Sequence, residues 1–236
     1  MQRHLAQLNI ARLRHPIGDP RIADFVDALP IVNGAGESSN GYVWRLQSDA
    51  GDATDIRVFD DPLIIVNLTV WKSLNELKSF AYRGLHRDFF RRRAEWFVEA
   101  ASRTALWWLP ATSLPTIDDA KRRLEFIDAF GASPFAFEMG QNHPALVNLR
   151  LGVDDERVQA LAADMSWDPR AAIGDDGVLV VTELDDHAVA CGAYRRLDSS
   201  TAEITRMHVT EPARGRRLGA ALVAELAGIA QSEGLE

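Results

Sequence analysis

The segment 202–232 joins a strand pattern to an apolar helix through a short turn of glycine and arginine. The strand reads AEITRMHV, the turn reads RGRRLG, and one helix face carries Leu222, Val223, Leu226 and Ile229. A helix that begins at such a turn presents unpaired N–H groups and the positive end of its dipole to the turn. The segment therefore predicts an anion site suited to a pyrophosphate.

The residues of the turn support this prediction. Gly215 and Gly219 let the backbone approach a phosphate without an intervening side chain. Arg214, Arg216 and Arg217 add positive charge for phosphate groups, including a 3′-phosphate. A dinucleotide-binding loop is disfavoured because hairpin-type strands precede the turn, and a P-loop is excluded because Gly-Lys-Ser/Thr is missing.

The rest of the second half predicts a small antiparallel sheet. Strand patterns cover 145–153, 177–184 and 188–197, and the polar turns after the second and third are typical of hairpins. Asp154 is positioned to cap a helix after the first strand, and Gly234 to end the last helix.

The first half shows strand and helix patterns in the order β-α-β-β-α-β, which is that of a ferredoxin-like α+β unit. Strand patterns lie at 4–12, 42–47, 63–71 and 104–111, and helix patterns begin at Asp19 and Ser73 and cover 87–99 and 116–129. A stretch rich in Gly, Ser, Pro and Asn follows. We therefore expect an α+β protein of two domains, 1–140 and 141–236.

Charge and composition exclude several classes of protein. The net charge is −8, so no basic face for nucleic acid is expected; the acidic surplus of the second half either attracts a cationic substrate or is a solvated surface. No apolar run reaches the length of a membrane span, and no metal-ligand spacing is apparent. The single cysteine, Cys191, is expected to be a small buried thiol. One cysteine cannot form an internal disulfide, which favours a cytoplasmic location.

The first half resembles a known family over residues 3–139. The segments HLAQLNIARLR, GYVWRLQ, VNLTVW and FRRRAEWF and the turn FDDP resemble the domain-of-unknown-function family numbered three-two-nine-one. That family is similar to the dimeric α/β-barrel proteins, which include antibiotic-biosynthesis monooxygenases. The resemblance implies a homodimer through the N-terminal domain, because such domains usually pair sheet to sheet.

Aromatic residues and one histidine are the candidates for chemistry in the first half. Trp44, Trp71 and Trp107 or Trp108 either line a cleft for a flat apolar ligand or fill the core. His86 is either an acid/base group or haem ligand, as in relatives of this barrel, or a surface residue. No nucleophile–base pair is apparent, so this half does not reveal an activity.

The run AEITRMHVTEPARGRRLGAALV resembles motif A of the GNAT acetyltransferase superfamily, and the resemblance covers about 146–234. The family's loop pattern has glycine where this chain has Arg217, which is tolerable if that residue has helical φ and ψ angles. The resemblance implies acetyl-CoA as cosubstrate and a primary amine that attacks it directly. The residues that it places beside acetyl-CoA are Met207, His208, Val209, Arg214, Gly215, Arg216, Arg217, Leu218, Gly219 and Ala220.

Two residues take the catalytic roles that the resemblance implies. The N–H of Val209 polarises the thioester carbonyl as an oxyanion-hole donor, and Glu203 deprotonates the amine. Strand alternation predicts Glu203 on the same face as Met207 and Val209, with His208 on the opposite face as a structural residue.

Several alternatives stay open. Glu203 is otherwise an exposed carboxylate paired with Arg195 or Arg206. The family continues with a fifth strand, another helix and a closing hairpin, so an end at Glu236 predicts a partial fold with a bare edge at strand 202–209. Such a chain is a fragment, a domain completed by a partner chain, or a degenerate domain that binds without catalysis.

The rival functions are an oxygenase or flat-ligand binder in the N-terminal domain and an acyl-CoA sensor. The acceptor amine and the general acid are not identified.

Overall fold

The computed structural model describes residues 1–174 and 176–236, apart from the side chains of residues 84–86, 88, 90 and 99–102. The strands are β1 (Arg3–Leu13), β2 (Tyr42–Arg45), β3 (Ile64–Trp71), β4 (Phe97–Pro110), β5 (Leu146–Arg150), β6 (Val178–Leu184), β7 (His187–Arg196) and β8 (Ala202–Val209). The helices are α1 (Ala23–Glu37), α2 (Leu74–Tyr82), α3 (Gly84–Trp96), α4 (Ile117–Phe130), α5 (Glu156–Met165), α6 (Pro169–Ile173) and α7 (Leu218–Ser232). The predicted α+β class is confirmed.

The first sheet is antiparallel and has the strand order β2-β3-β1-β4. At its centre Leu8 of β1 pairs with Leu68 of β3 and with Ala105 of β4. This face packs against α4 and residues 46–59, whereas Leu5 and its neighbours on the opposite face pack against α2. Elements of the same chain therefore cover the α4 side of the first sheet and the part of the opposite face around Leu5.

Side-chain caps begin several of the helices at the predicted residues. Thr116 forms a capping box with Asp119 before α4, and Ser73 accepts the N–H of Glu76 before α2. Asp19 caps the 3-10 turn that leads into α1. These local contacts fix where each helix starts, and for that reason the sequence shows them.

Other helix boundaries differ from the predicted ones. α3 ends at Trp96, before its predicted end, because the chain then enters β4 and pairs with β1. Asp155 rather than Asp154 caps α5, because its carboxylate accepts the N–H two residues further on. α7 begins at Leu218, two residues before the start at Ala220 that the sequence pattern favours, and the short helix α6 is not predicted by the sequence.

The second sheet is antiparallel and has the order β5-β6-β7-β8. One face, which we call the α5 side, packs Val181 and Cys191 against α5. The other face, the α7 side, packs Ala190 and Tyr194 against α7. Cys191 is buried as predicted, and burial raises its thiol pKa to about 11, so it is no nucleophile.

α4 joins the two sheets because it packs against α7 as well as against the first sheet. Arg123 of α4 stacks on Phe135 at 3.5 Å and pairs with Glu225 of α7 at 3.1 Å. The apolar residues between them form what we call the shared cluster, to which both halves of the chain contribute: Phe126, Phe135, Ala136, Leu146, Leu184, Ala213, Leu218 and Ala221. The start of α7 is thus seated on residues of the N-terminal half.

The tryptophans of the first half belong to different parts of the core. Trp107 lies on the α4 side of the first sheet with the partly buried Trp44, whereas Trp71 and Trp108 lie on the opposite side. Because these rings face opposite sides of one sheet, they do not line a single cleft. The side chain of His86, proposed as an acid/base group or haem ligand, lies outside the described part of the structure.

Candidate functional site

A β-bulge in β8 shapes the candidate site. Thr205 pairs with Ala193 of β7 and His208 pairs with Cys191, so two residues of β8 lie opposite one residue of β7. The first of these two, Arg206, has a left-handed backbone with φ of 54°. Nothing in the amino-acid pattern indicated this bulge.

Beyond the bulge, the side chains of β8 point to the opposite face of the sheet from the one predicted. The partners of Glu203 and His208 on β7 both lie on the α5 side, so these two side chains share that face. Val209 packs instead on the α7 side, and Met207 contacts Gly192 there. The expectation that Glu203 shares a face with Met207 and Val209 is therefore wrong, because one extra residue shifts the alternation.

The N–H of Val209 lies at the open edge of the second sheet. Thr210 donates its N–H to the Val189 carbonyl at 2.9 Å, so alternation turns the N–H and C=O of Val209 away from β7. At the start of β8 the edge is not bare, because the Ala202 N–H donates to the Glu236 carbonyl at 2.9 Å. Within the described chain, the open part of the edge lies toward Val209.

The turn between β8 and α7 forms a nest of backbone donors. Gly215 and Arg217 have left-handed backbones, with φ of 78° and 62°. In the described chain, the N–H groups of residues 215–220 make no hydrogen bond, and no acidic side chain lies in the first turn of α7. Consecutive free N–H groups at a helix N-terminus form a concave anion site, which is the geometry that a pyrophosphate needs.

Arg217 does not meet the condition of helical φ and ψ angles under which its replacement of glycine would be tolerable, because its backbone is left-handed. This conformation is easiest for glycine, which explains why the resemblance places glycine at this position. The side chain of Arg217 points away from the nest and donates to the Ala132 carbonyl at 2.9 Å. Ala132 follows α4, so Arg217 ties the turn to the N-terminal half.

The other two arginines of the turn lie closer to the nest. Arg214 donates from Nε to the Val209 carbonyl at 3.2 Å, so its guanidinium lies beside the open edge. Arg216 is exposed and makes no ion pair within residues 1–174 and 176–236. Arg214 and Arg216 are therefore the side chains that can reach phosphate oxygens without breaking a contact between the two halves.

Two substitutions of Arg217 distinguish the destabilisation caused by its left-handed backbone from the stabilisation given by its side-chain hydrogen bond. We expect Arg217→Ala to lower the free energy of unfolding by about 1 kcal/mol, because the bond to Ala132 is lost and the strain remains. Arg217→Gly loses the same bond but relieves strain worth about 1 kcal/mol, so its stability should stay near that of the wild type. Urea unfolding of the three proteins measures both changes. Equal losses in the two variants would contradict the role of the left-handed backbone.

Glu203 lies on the α5 side at the start of β8 and is half exposed. Its carboxylate accepts a hydrogen bond from Arg195 Nε at 2.7 Å, which is one of the two pairings considered from the sequence. At ~3.3 Å per residue, the six positions between Glu203 and Val209 correspond to roughly 20 Å, less the shortening by the bulge. A carboxylate at that distance reaches a group held by the Val209 N–H only through water.

The described residues form neither a metal-ligand cluster nor a membrane-spanning helix. Across residues 1–174 and 176–236, no group of three or more His, Cys, Asp and Glu side chains is arranged to hold a metal ion. Nor does the described chain contain a helix with both the length and the apolar character required to cross a bilayer.

Two family patterns match this chain. The family described as Domain of unknown function (DUF3291) matches residues 4–150. The Acetyltransferase (GNAT) family matches residues 147–236, which include β8, the nest and α7. Among curated proteins, none matches the chain.

Solved structures similar to the chain fall into two groups. A GCN5-related N-acetyltransferase from Kribbella flavida is 19% identical, with a TM-score of 0.32, over 40% of this chain and 39% of that one. A GNAT family acetyltransferase from Elizabethkingia anophelis with acetyl-CoA bound is 16% identical, with a TM-score of 0.34, over 39% of this chain and 61% of that one. SnoaB, a cofactor-independent oxygenase from Streptomyces nogalater, is 13% identical, with a TM-score of 0.32, over 48% of this chain and 95% of that one. The chain thus covers less than two thirds of the length of the Kribbella flavida and Elizabethkingia anophelis acetyltransferases.

Proposed function

We propose that this chain transfers the acetyl group of acetyl-CoA to a primary amine. The chain belongs to the DUF3291 family and carries a GNAT acetyltransferase domain at its C-terminal end. The observation that carries this proposal is the nest of free N–H groups at 215–220, which adjoins the open edge at Val209. An anion site and an exposed backbone donor at the end of one strand are what a pyrophosphate linked to a thioester requires.

The site supports binding of acetyl-CoA in two stages. The nest and the guanidinium groups of Arg214 and Arg216 hold the pyrophosphate and the 3′-phosphate. The pantetheine arm then extends from the nest to the edge of β8 and reaches the N–H of Val209, with Met207 two residues further along the strand. That N–H polarises the thioester carbonyl and stabilises the negative charge that develops on its oxygen during attack.

The amine reaches the carbonyl from the α5 side of the second sheet. α7 occupies the other face, where Val209 packs, and α5 covers the centre of the α5 side, but at β8 this side is less covered because Glu203 is exposed, so we place the acceptor there. The carboxylate of Glu203 lies on this face and attracts an ammonium group. The resemblance implies Glu203 as the base, but at its distance from Val209 its carboxylate reaches the amine only through bridging water.

Thiol release with a panel of primary amines tests the proposed reaction. Propylamine, spermidine, tryptamine and a dipeptide offer alkyl, polycationic, aromatic and α-amino groups. We expect at least one of them to raise the rate of CoA release from acetyl-CoA well above the rate without amine, with the acetylated amine detected by mass spectrometry. Bound acetyl-CoA without any amine-dependent release would favour the acyl-CoA sensor.

A second candidate function belongs to the N-terminal domain and rests on polar side chains within the first sheet. Gln7 accepts a hydrogen bond from Thr69, which in turn accepts one from the indole of Trp71. Asn67 lies two residues before Thr69 on an interior strand, yet it is exposed. This opening beside a buried polar chain supports a binding site for a small flat ligand. Visible absorbance of the purified protein tests for a haem or flavin there.

The resemblance of the first half also leads us to propose a homodimer, with one condition. The α4 side of the first sheet is covered by α4 and residues 46–59, so two sheets cannot meet there while this cover is in place. A dimer must therefore use another surface of the N-terminal domain. Sedimentation equilibrium tests the proposal, and a monomer at all concentrations would contradict it.

A further inference from the structure

His208 has the surroundings of a residue that exchanges protons. Its Nε2 is enclosed and makes no hydrogen bond, and the nearest acidic oxygen, Oδ2 of Asp164 on α5, lies 3.6 Å away. That separation is an ion-pair distance rather than a hydrogen bond. Nδ1 of the same ring also makes no hydrogen bond within the described chain, but unlike Nε2 it is not enclosed. One nitrogen thus faces a carboxylate while the other is accessible.

Such an arrangement suits a base. A carboxylate beside one ring nitrogen holds the proton there, which leaves the lone pair on the other nitrogen, and it stabilises the imidazolium that forms when a proton is accepted. Asp164 can serve as this partner, because its side chain is mostly exposed and can turn toward Nε2. The bulge in β8 matters here, since without it His208 would lie on the α7 side.

We propose that His208, positioned by Asp164, accepts the proton from the attacking amine, and that Glu203 attracts the amine without deprotonating it directly. This inference rests on the proposed function. His208 directly precedes Val209, whose N–H holds the thioester carbonyl, and its side chain lies on the face from which the amine arrives. Glu203 is six positions away from Val209 and is paired with Arg195.

The reaction step balances with these groups alone. The acceptor first loses its ammonium proton to solvent. The neutral amine nitrogen then attacks the carbonyl carbon of acetyl-CoA and forms the C–N bond, while one of its two N–H protons passes to Nδ1 of His208. The C–S bond then breaks, and the sulfur leaves as the CoA thiolate, which takes a proton from solvent. The imidazolium of His208 returns its proton to solvent before the next turnover.

The negative charge near His208 also indicates the class of acceptor. Asp164 and Glu203 both face the α5 side of β8; Glu203 is offset by Arg195, whereas the carboxylate of Asp164 is largely exposed and has no Lys or Arg partner within the described chain. A site with this charge favours an amine that is an ammonium ion in solution. Spermidine and tryptamine are therefore expected to exceed the dipeptide, whose carboxylate offsets its ammonium charge, in the thiol-release assay.

Substitution of His208 tests the proposal in the full chain. His208→Gln keeps a polar side chain of similar size but removes the base, so we expect kcat to fall about 100-fold or more, with the Kd for acetyl-CoA within about twofold of the wild type. Asp164→Asn should lower kcat about tenfold while the KM for acetyl-CoA stays unchanged. His187→Gln, at an exposed histidine of β7, is the matched control and should leave all three constants unchanged.

Glu203→Gln separates the two candidate bases. We expect it to raise the KM for the amine several-fold and to lower kcat less than tenfold. If Glu203→Gln instead loses 100-fold in kcat while His208→Gln stays within threefold, the proposal is overturned and Glu203 is the base. Failure of the wild type to bind acetyl-CoA overturns the proposed function itself. If the wild type binds acetyl-CoA but shows no turnover, both the proposed transfer reaction and the role of His208 are contradicted.

Discussion

Gly219→Asp is expected to weaken acetyl-CoA binding at least 30-fold without destabilising the fold. Gly219 lies in the first turn of α7, and a Cβ there would meet nothing within 4 Å. A carboxylate at a helix N-terminus stabilises the helix by about 0.5 kcal/mol, and replacing glycine adds a similar amount. The same carboxylate repels a pyrophosphate in the nest by about 2 kcal/mol or more, which corresponds to the expected loss of affinity.

Gly219→Asn is the matched control, because it has the same shape without the charge. We expect it to lose less than about fivefold in affinity. Titration calorimetry and urea unfolding of both variants measure the two effects. The account of the nest fails if Gly219→Asp binds as tightly as the wild type. If the two variants lose affinity equally, the effect is steric and the electrostatic part of the account is wrong.

Arg123→Met is expected to destabilise the protein by about 3 kcal/mol. Arg123 is buried between the two halves, and burial lowers its guanidinium pKa despite the opposing charge of Glu225. Methionine preserves the packing on Phe135 but leaves Glu225 of α7 as an unpaired, largely buried carboxylate, and breaking a buried pair in this way costs ~3–5 kcal/mol. Urea unfolding measures the change.

The double variant Arg123→Met, Glu225→Leu is the control for the ion pair. Because it leaves no unpaired charge, we expect it to be more stable than Arg123→Met alone. Glu225→Leu by itself should also destabilise the protein, since it leaves the guanidinium unpaired. Losses that simply add in the double variant would show that Arg123 and Glu225 do not stabilise the interface as a pair.

The parts of the fold that local contacts determine could be predicted from the sequence. Thr116 and Ser73 cap helices with side chains that reach only three residues ahead, and the strand patterns of β6 and β7 flank their own hairpin turn. The nest could be predicted for the same reason, because small residues, basic residues and a following apolar helix are contiguous in the chain. Its sequence pattern requires no knowledge of distant segments.

The bulge and the interface between the two halves could not be predicted. Two residues of β8 lie opposite Gly192, which is a property of strand pairing that neither strand shows alone. Arg217 occupies a left-handed conformation with its side chain on Ala132, a contact across 85 positions in sequence. The bulge decides that His208 shares a face with Glu203, so the assignment of faces from alternation was wrong.

Titration calorimetry of the full chain with acetyl-CoA tests the central claim most directly, with circular dichroism to show that the sample is folded. We predict heat of binding to one site per chain with a Kd below about 100 μM, equivalent to ~5.5 kcal/mol, and a much weaker signal from Gly219→Asp. A folded wild-type sample that gives no heat at high micromolar acetyl-CoA would contradict the account, because the nest at 215–220 would then hold no pyrophosphate.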